Sequence, residues 1–85
     1  MIAERVLIEG SGKGTSSWIP VTQANISYDH PFDALMEHAL NIDFVNEDLG
    51  PGARVAVELS AESARSLVQM IQKVLDQAEA GGHVD

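Results

Sequence analysis

The second half of the chain changes the period of its apolar residues, and this change limits the folds it can adopt. Along residues 38–46 apolar and polar side chains alternate, as they do in a strand with one buried face. Residues 54–59 alternate in the same way. After Ser60 the apolar side chains recur every three or four positions until the glycines at 81–82, which is typical of a helix with one apolar stripe. The pattern predicts two strands followed by an amphipathic helix that Ser60 caps.

Two segments of the first half have the branched residues of strands. Residues 4–9 read ERVLIE and stop at glycines, and residues 18–30 read WIPVTQANISYDH. Pro20 lacks an amide hydrogen, so it belongs at a strand start, an edge or a bulge. Short connections favour antiparallel neighbours. We therefore expect an α+β fold, with a four-stranded antiparallel sheet followed by one C-terminal amphipathic helix packed on one face. Residues 1–80 would form this single β4α domain, and residues 81–85 a flexible tail.

The size of the chain indicates self-association. A chain of 85 residues buries only about 60–65% of the surface that it exposes when unfolded. Its core is therefore small, and association with further copies is a common remedy. The helix would leave one sheet face, with Asn41, Asp43, Arg54 and Glu58, either solvated or covered by another subunit. We expect a dimer or a higher oligomer.

Charge and composition disfavour several classes of partner. Thirteen acidic residues against five basic ones give a net charge of -8, which repels nucleic acid and anionic lipid. We therefore expect neither a nucleic-acid nor a membrane partner. Glu4 and Arg5 stand where a signal peptide would be apolar, which favours a cytoplasmic protein. Without cysteine, the chain has no disulfide and no thiolate nucleophile.

Residues 10–15, GSGKGT, resemble the phosphate-binding loop of adenylate kinases. Such a loop needs a helix directly behind it, because the helix amides face the phosphates. Here a segment with Pro20 follows, and Glu9 would place a carboxylate beside the polyanion. We interpret the segment as a flexible hairpin connection between the first two strands and expect no nucleotide cofactor. Lys13 remains a candidate for binding a small anionic ligand.

Two histidines stand at strand ends that pairing would bring close together. His30 follows Asp29 at the end of the second strand, and His38 follows Glu37 at the start of the third. With Glu37, the two imidazoles could hold a divalent transition metal and leave one position open. Without a metal, the same three side chains could act as general acid and base near neutral pH. The alternative is a structural role, in which His38 bonds a backbone carbonyl.

Further side chains could contact a ligand. Trp18 and Tyr28 would share a face of the second strand if it has no bulge. They could form a flat wall for a planar ligand, or they could belong to a core or an interface. Asp29 ends the same strand. Asp43 lies near Arg54 of the next strand, where a cross-strand ion pair competes with a role as ligand or base.

Five blocks in this order resemble a family of small bacterial proteins that is classified only as a domain of unknown function. The blocks are GSGKG at 10–14, a tryptophan shortly after it, DHP at 29–31, EH at 37–38 followed by LNIDF at 40–44, and ARVAVEL at 53–59. The resemblance brings no activity with it. It implies that the glycine segment, the DHP block and the EH pair belong to one recurring pattern and converge on a site.

Three functions are open from the sequence. The leading hypothesis is a homo-oligomeric domain that binds a small molecule or a metal near His30 and His38. The second is a small lyase, isomerase or hydrolase, with His38 or His30 as general acid or base and a neighbouring carboxylate assisting. The third is an accessory or scaffold protein that acts through its sheet face.

Overall fold

The computed structural model describes residues 2–85 and has the predicted α+β architecture. Four strands form one antiparallel sheet, in which they lie in the order of the chain. The strands are β1 (Ile2–Lys13), β2 (Trp18–Asp29), β3 (Ala39–Val45) and β4 (Arg54–Leu59), and a 3-10 turn at Glu47–Leu49 separates the last two. Helix α1 (Ala61–Ala80) follows the sheet. No helix within this part of the chain is long and apolar enough to cross a bilayer.

The strand register gives the sheet one apolar face and one polar face. Ile26 of β2 pairs with Ile42 of β3, which pairs with Val57 of β4. Because side chains alternate along a strand, paired residues share a face, and the predicted alternation of β3 and β4 is confirmed. The apolar face carries Ala24, Ile26, Tyr28, Leu40, Ile42, Phe44, Val55, Val57 and Leu59. The polar face carries Gln23, Asn25, Ser27, Asn41, Asp43, Arg54 and Glu58.

The first hairpin runs through the glycine segment. β1 continues to Lys13, and residues 14–17 alone connect it to β2. The strand predicted over residues 4–9 is therefore present but longer than expected, and the connection is shorter. Pro20 lies in the part of β2 that pairs only with β1, because β3 pairs with β2 from Gln23 onward. It occupies the edge-like position that its missing amide requires.

Gly12 allows the hairpin to pack closely on the sheet. A Cβ atom at this position would lie 3.3 Å from Cγ2 of Val55 and 3.4 Å from Cγ1 of Val21. Val21 is only 5% exposed, so this contact lies in the small core. At least one glycine of the GSGKG segment thus serves packing between strands. A strand, and not a helix, follows this segment.

Both ends of α1 have the predicted caps. The Oγ atom of Ser60 accepts a hydrogen bond from the amide of Ser63 at 3.1 Å. At the other end Gly82 has a φ of 74°, and the amide of His83 donates to the carbonyl of Ala78 at 2.8 Å. This is the arrangement of a Schellman motif, in which glycine takes the left-handed position. The predicted tail therefore begins with residues bonded to the helix.

The helix lies over the apolar face, beside β3 and β4, but it buries none of its residues in the single chain. The predicted apolar stripe is present. Its members are 45–66% exposed, and they are Leu67, Val68, Ile71, Val74 and Leu75. The buried apolar residues of the described chain are one valine and three alanines. The stripe that we expected to complete the core is therefore only half covered.

Candidate functional site

Glu58 of β4 holds the loop that connects β2 to β3. This carboxylate of β4 accepts hydrogen bonds from three successive amides, those of Phe32, Asp33 and Ala34; the last two measure 2.9 Å each. Residues 32–38 form no helical turn. Phe32 and Leu35 point their side chains fully into solvent. The backbone of the loop is held while its apolar side chains stay free.

The three amides also change the acidity of Glu58. They hold the pKa of this carboxyl below its ordinary value of 4.5, with the Ala34 amide contributing most, followed by those of Phe32 and Asp33. Removal from water acts in the opposite direction and is the weakest of these influences. Glu58 is therefore ionised at neutral pH, and the clamp on the loop persists there.

The two predicted histidines meet at the end of the sheet. The ring centroids of His30 and His38 are 4.8 Å apart with planes inclined by 26°, and those of His38 and Tyr28 are 6.1 Å apart with planes inclined by 18°. We call Tyr28, His38 and His30 the ring row. The Nδ1 atom of His30 lies 3.0 Å from the carbonyl oxygen of Glu37. Because a carbonyl only accepts, this bond places the proton on Nδ1 and leaves Nε2 of the neutral ring as an acceptor.

Glu37 enters this site through its backbone. Its carbonyl orients His30, whereas its carboxylate does not complete a metal site, since no three histidine, aspartate or glutamate side chains within residues 2–85 are grouped to hold an ion. The two imidazoles are stacked, so their ring nitrogens lie in nearly parallel planes. Of the predicted metal and acid–base set, the structure brings the rings of His30 and His38 together and places the Glu37 carbonyl beside His30.

Lys13 and Trp18 lie far from the ring row. They pair with each other at the hairpin end of β1 and β2. Tyr28 is ten positions further along β2, which corresponds to about 33 Å in an extended strand. Trp18 and Tyr28 therefore cannot form one wall, and Lys13 cannot reach a ligand at the ring row of the same chain.

A depression of about 260 Å³ on the polar face adjoins the ring row and includes His30, Asp29 and Asn41 in its lining. The Oδ1 atom of Asn41 is buried and has no hydrogen-bond partner among the described residues. Asp43 also lines the depression and bonds Nη2 of Arg54 at 2.5 Å, so the predicted cross-strand ion pair is confirmed. The lining of the depression thus includes three carboxylates, one arginine and a buried amide oxygen that has no partner among the described residues.

A larger apolar groove of about 570 Å³ lies on the other side of the ring row. It separates the apolar face from α1, and we call it the sheet–helix groove. Its lining includes Ile26, Leu40 and Ile42 from the sheet and Leu67, Val68 and Ile71 from the helix. Tyr28 lines it too, while His30 lines the polar depression. The ring row therefore connects an apolar space to a polar one around the end of the sheet.

Sequence patterns did not identify Glu58 and Asn41 as parts of the site. Both appeared as polar residues of one strand face, and their register partnership, Asn41 opposite Glu58, was not assigned. The DHPFDAL segment showed neither period, so its amides had to bond to water, to its own aspartates or to an acceptor elsewhere in the chain. No local pattern identifies Glu58 as that acceptor.

A family model described as a family of unknown function (DUF6295) matches residues 1–84 of the chain. No curated protein and no solved structure matches the chain. The match brings no activity with it.

Proposed function

We propose that this chain, which belongs to the family of unknown function DUF6295, is a homo-oligomeric cytoplasmic domain that binds a small planar molecule at the ring row. The stacking of Tyr28, His38 and His30 carries this proposal. A partly exposed row of parallel rings offers a flat surface that a further ring can extend, and aromatic side chains with a few polar groups are typical of ligand sites.

The ring row is held in place before any ligand arrives. Glu58 fixes the loop backbone at residues 32–34, and the Glu37 carbonyl fixes the His30 ring. Tyr28 and His38 belong to, or directly precede, paired strands. A site that is ordered in advance loses less conformational entropy on binding, which supports a recognition role for this end of the sheet.

The surroundings favour a neutral or cationic ligand that donates hydrogen bonds. Within residues 2–85 the buried Oδ1 of Asn41 has no hydrogen-bond partner, and Nε2 of His30 is an acceptor in the tautomer set by Glu37. Asp29 and Glu58 line the adjoining depression, and the net charge of -8 disfavours anions over the whole surface. We therefore infer a planar heteroaromatic molecule with N–H groups as the ligand class.

A matched pair of histidine variants tests this proposal. Neutral and cationic heteroaromatic compounds are screened by thermal shift, and the affinity of each hit is measured by calorimetry on the wild type, His38→Ala and His83→Ala. We expect the affinity to fall at least about tenfold in His38→Ala, because one stacked ring and its contacts are lost. His83 lies beyond α1, so its variant should bind as the wild type does. Equal affinities in folded His38→Ala and wild-type protein would contradict the proposal.

An enzymatic role is the second candidate, and the tautomer of His30 favours it. An exposed imidazole with Nδ1–H bonded to a carbonyl keeps Nε2 free to take a proton from a substrate. A lyase, isomerase or hydrolase with this base should lose turnover in His30→Ala and keep it in His83→Ala. Turnover that survives His30→Ala and His38→Ala alike would exclude both imidazoles as the base.

Metal binding at His30, His38 and Glu37 remains a separate prediction. Such a site would require the Glu37 carboxylate or another ligand to move towards the two rings, because residues 2–85 show no ready group of three. Elemental analysis of protein purified without a metal-affinity tag tests it. Stoichiometric zinc or nickel that disappears in His38→Ala would support the metal, and its absence together with an unchanged melting temperature after adding zinc would contradict it.

A further inference from the structure

The single chain exposes more surface than a compact protein of its mass. Its accessible surface is 6723 Å², whereas a folded monomer of 9.1 kDa exposes about 4,900 Å². Its radius of gyration is 14.4 Å, against about 12 Å for a compact domain of this length. About 1,800 Å² of surface per chain is thus in excess.

Part of the uncovered apolar surface borders the sheet–helix groove. Val68 is 66% exposed and Ile71 is 51% exposed, although both face the apolar side of the sheet across the groove. α1 as a whole has no buried residue. An amphipathic helix normally owes its stability to the burial of its stripe, so this helix lacks a cover that the rest of the chain does not supply.

We propose that a second copy of this chain covers the sheet–helix groove and its helix stripe. The inference rests on the self-association included in the proposed function, and it adds the surface. A standard interface buries about 800 Å² per partner, and obligate homodimers bury more. The excess of about 1,800 Å² is therefore enough for an obligate interface.

A second copy fits this surface because the two uncovered pieces, an apolar sheet face and an apolar helix stripe, belong to the same chain. A twofold axis would place the stripe of each copy against the sheet of the other, so that both pieces are covered at once. Among the described residues that line the groove, Arg65 is the one that carries a charge. The carboxylates of the two acidic chains thus lie outside the groove, where water screens their repulsion, and Glu4, opposite Ile26, stands beside it on β1.

The interface would adjoin the proposed ligand site. Tyr28 lines the groove and also stacks on His38, and its side chain is 37% exposed in the single chain. A second copy seated on the groove would cover the outer part of this ring. The ring row would then be walled by the partner on its apolar side and open towards the polar depression.

The mass in solution and one helix substitution test the surface. Sedimentation equilibrium of the full chain at micromolar concentration should give a mass of twice 9.1 kDa. Ile71→Gln places an amide in the stripe without lowering helix propensity, and it should raise the dissociation constant at least about tenfold. Leu7→Gln is the matched control, because Leu7 is 78% exposed on the polar side of β1. The dissociation constant of this variant should equal that of the wild type.

The outcomes separate the surface from self-association itself. A folded wild-type monomer at 9.1 kDa would overturn both. A dimer that Ile71→Gln leaves intact, or that Leu7→Gln or Leu35→Gln dissociates instead, would overturn the groove as the interface and keep self-association. If Ile71→Gln does not fold, Val68→Gln takes its place, because Val68 also lines the groove and is 66% exposed. The wild-type melting temperature over a hundredfold range of protein concentration then tests self-association alone: a rise supports the second copy, and a constant value overturns it. None of these readings depends on a ligand.

Discussion

Replacement of Gly12 by valine should destabilise the protein, because the space beside this glycine is already filled. A Cβ atom alone would stand 3.3 Å from Cγ2 of Val55 and 3.4 Å from Cγ1 of Val21, closer than the 3.5–4.0 Å or so at which carbon atoms attract best. Valine adds two further methyl groups at the same place. The hairpin must therefore move away from the sheet, or the two valines must leave their preferred rotamers.

The expected cost follows from the behaviour of overpacked cores. Extra carbon atoms in a filled space typically cost about 1–3 kcal/mol in the free energy of unfolding. In a domain of 60–100 residues each kcal/mol lowers the melting temperature by about 4–8 °C. Gly12→Val should thus melt about 5–20 °C below the wild type, in spite of the preference of valine for strands.

Thermal unfolding followed by circular dichroism at one fixed protein concentration measures this shift. Gly14→Val is the control, since a Cβ atom at Gly14 would meet only the Ser17 carbonyl oxygen, at 3.9 Å. Its melting temperature should stay close to that of the wild type, because an exposed substitution without a clash changes stability by about 0.5 kcal/mol or less. Equal melting temperatures for the two variants would refute the packing role of Gly12 and would restore a flexible loop as the interpretation of GSGKG.

Three further perturbations address the caps, the clamp and the ion pair. Glu58→Gln should lower the protection of the amides of residues 32–34 against hydrogen exchange, because it removes the charge that these bonds favour. In the wild type this protection, taken relative to the intrinsic exchange rate at the same pH, should be largest above pH 4.5 and fall as the pH drops through the lowered pKa of Glu58, since its ionised form alone accepts all three bonds. Unchanged exchange in the variant would contradict the clamp. Gly82→Ala should lower the free energy of unfolding by about 1 kcal/mol because alanine disfavours a positive φ, and denaturant melts that coincide with the wild type would argue against the helix-ending motif. Asp43→Asn should cost less than about 1 kcal/mol, since its pair with Arg54 is solvent-exposed, and a larger loss in the same melts would show that Asp43 has another partner.

The strands and the helix could be predicted from local patterns because each carries one clear period. The alternation along β3 and β4 and the stripe of α1 identify these elements without tertiary information. β1 is the exception. Its last residues, Gly10 to Lys13, lack strand propensity and are held by their ladder with β2 and by the close approach of Gly12 to Val55. A glycine that serves close packing cannot be told by sequence from one that serves a turn.

The site was predictable where it depends on strand pairing and obscure where it depends on distant contacts. Histidines at the facing ends of β2 and β3 must meet if these strands pair, and their rings do stack. The clamp joins Glu58 to amides 24–26 positions earlier in the chain, so no local pattern indicates it. The separation of Trp18 from Tyr28 follows from the length of β2, which is twelve residues.

The half-covered stripe shows a second limit of local patterns. The apolar period of α1 predicts which helix face is buried, but it does not predict whether residues of the same chain bury it. Here the sheet meets the helix across a groove of about 570 Å³, and Ile71 stays 51% exposed. The small size of the chain already indicated self-association. The exposed stripe is the reason why we propose the groove side of the sheet, rather than the polar face, as the surface for it.

The histidine ring signals in a two-dimensional NMR titration test the proposed binding at the ring row most directly. The chain has three histidines, and His83 serves as an internal reference because it lies beyond α1. With the heteroaromatic compound that raises the melting temperature most, we predict that the ring signals of His30 and His38 shift together while that of His83 stays in place. If no compound moves the His30 and His38 signals, or if all three histidines shift equally, the ring row is not the binding site.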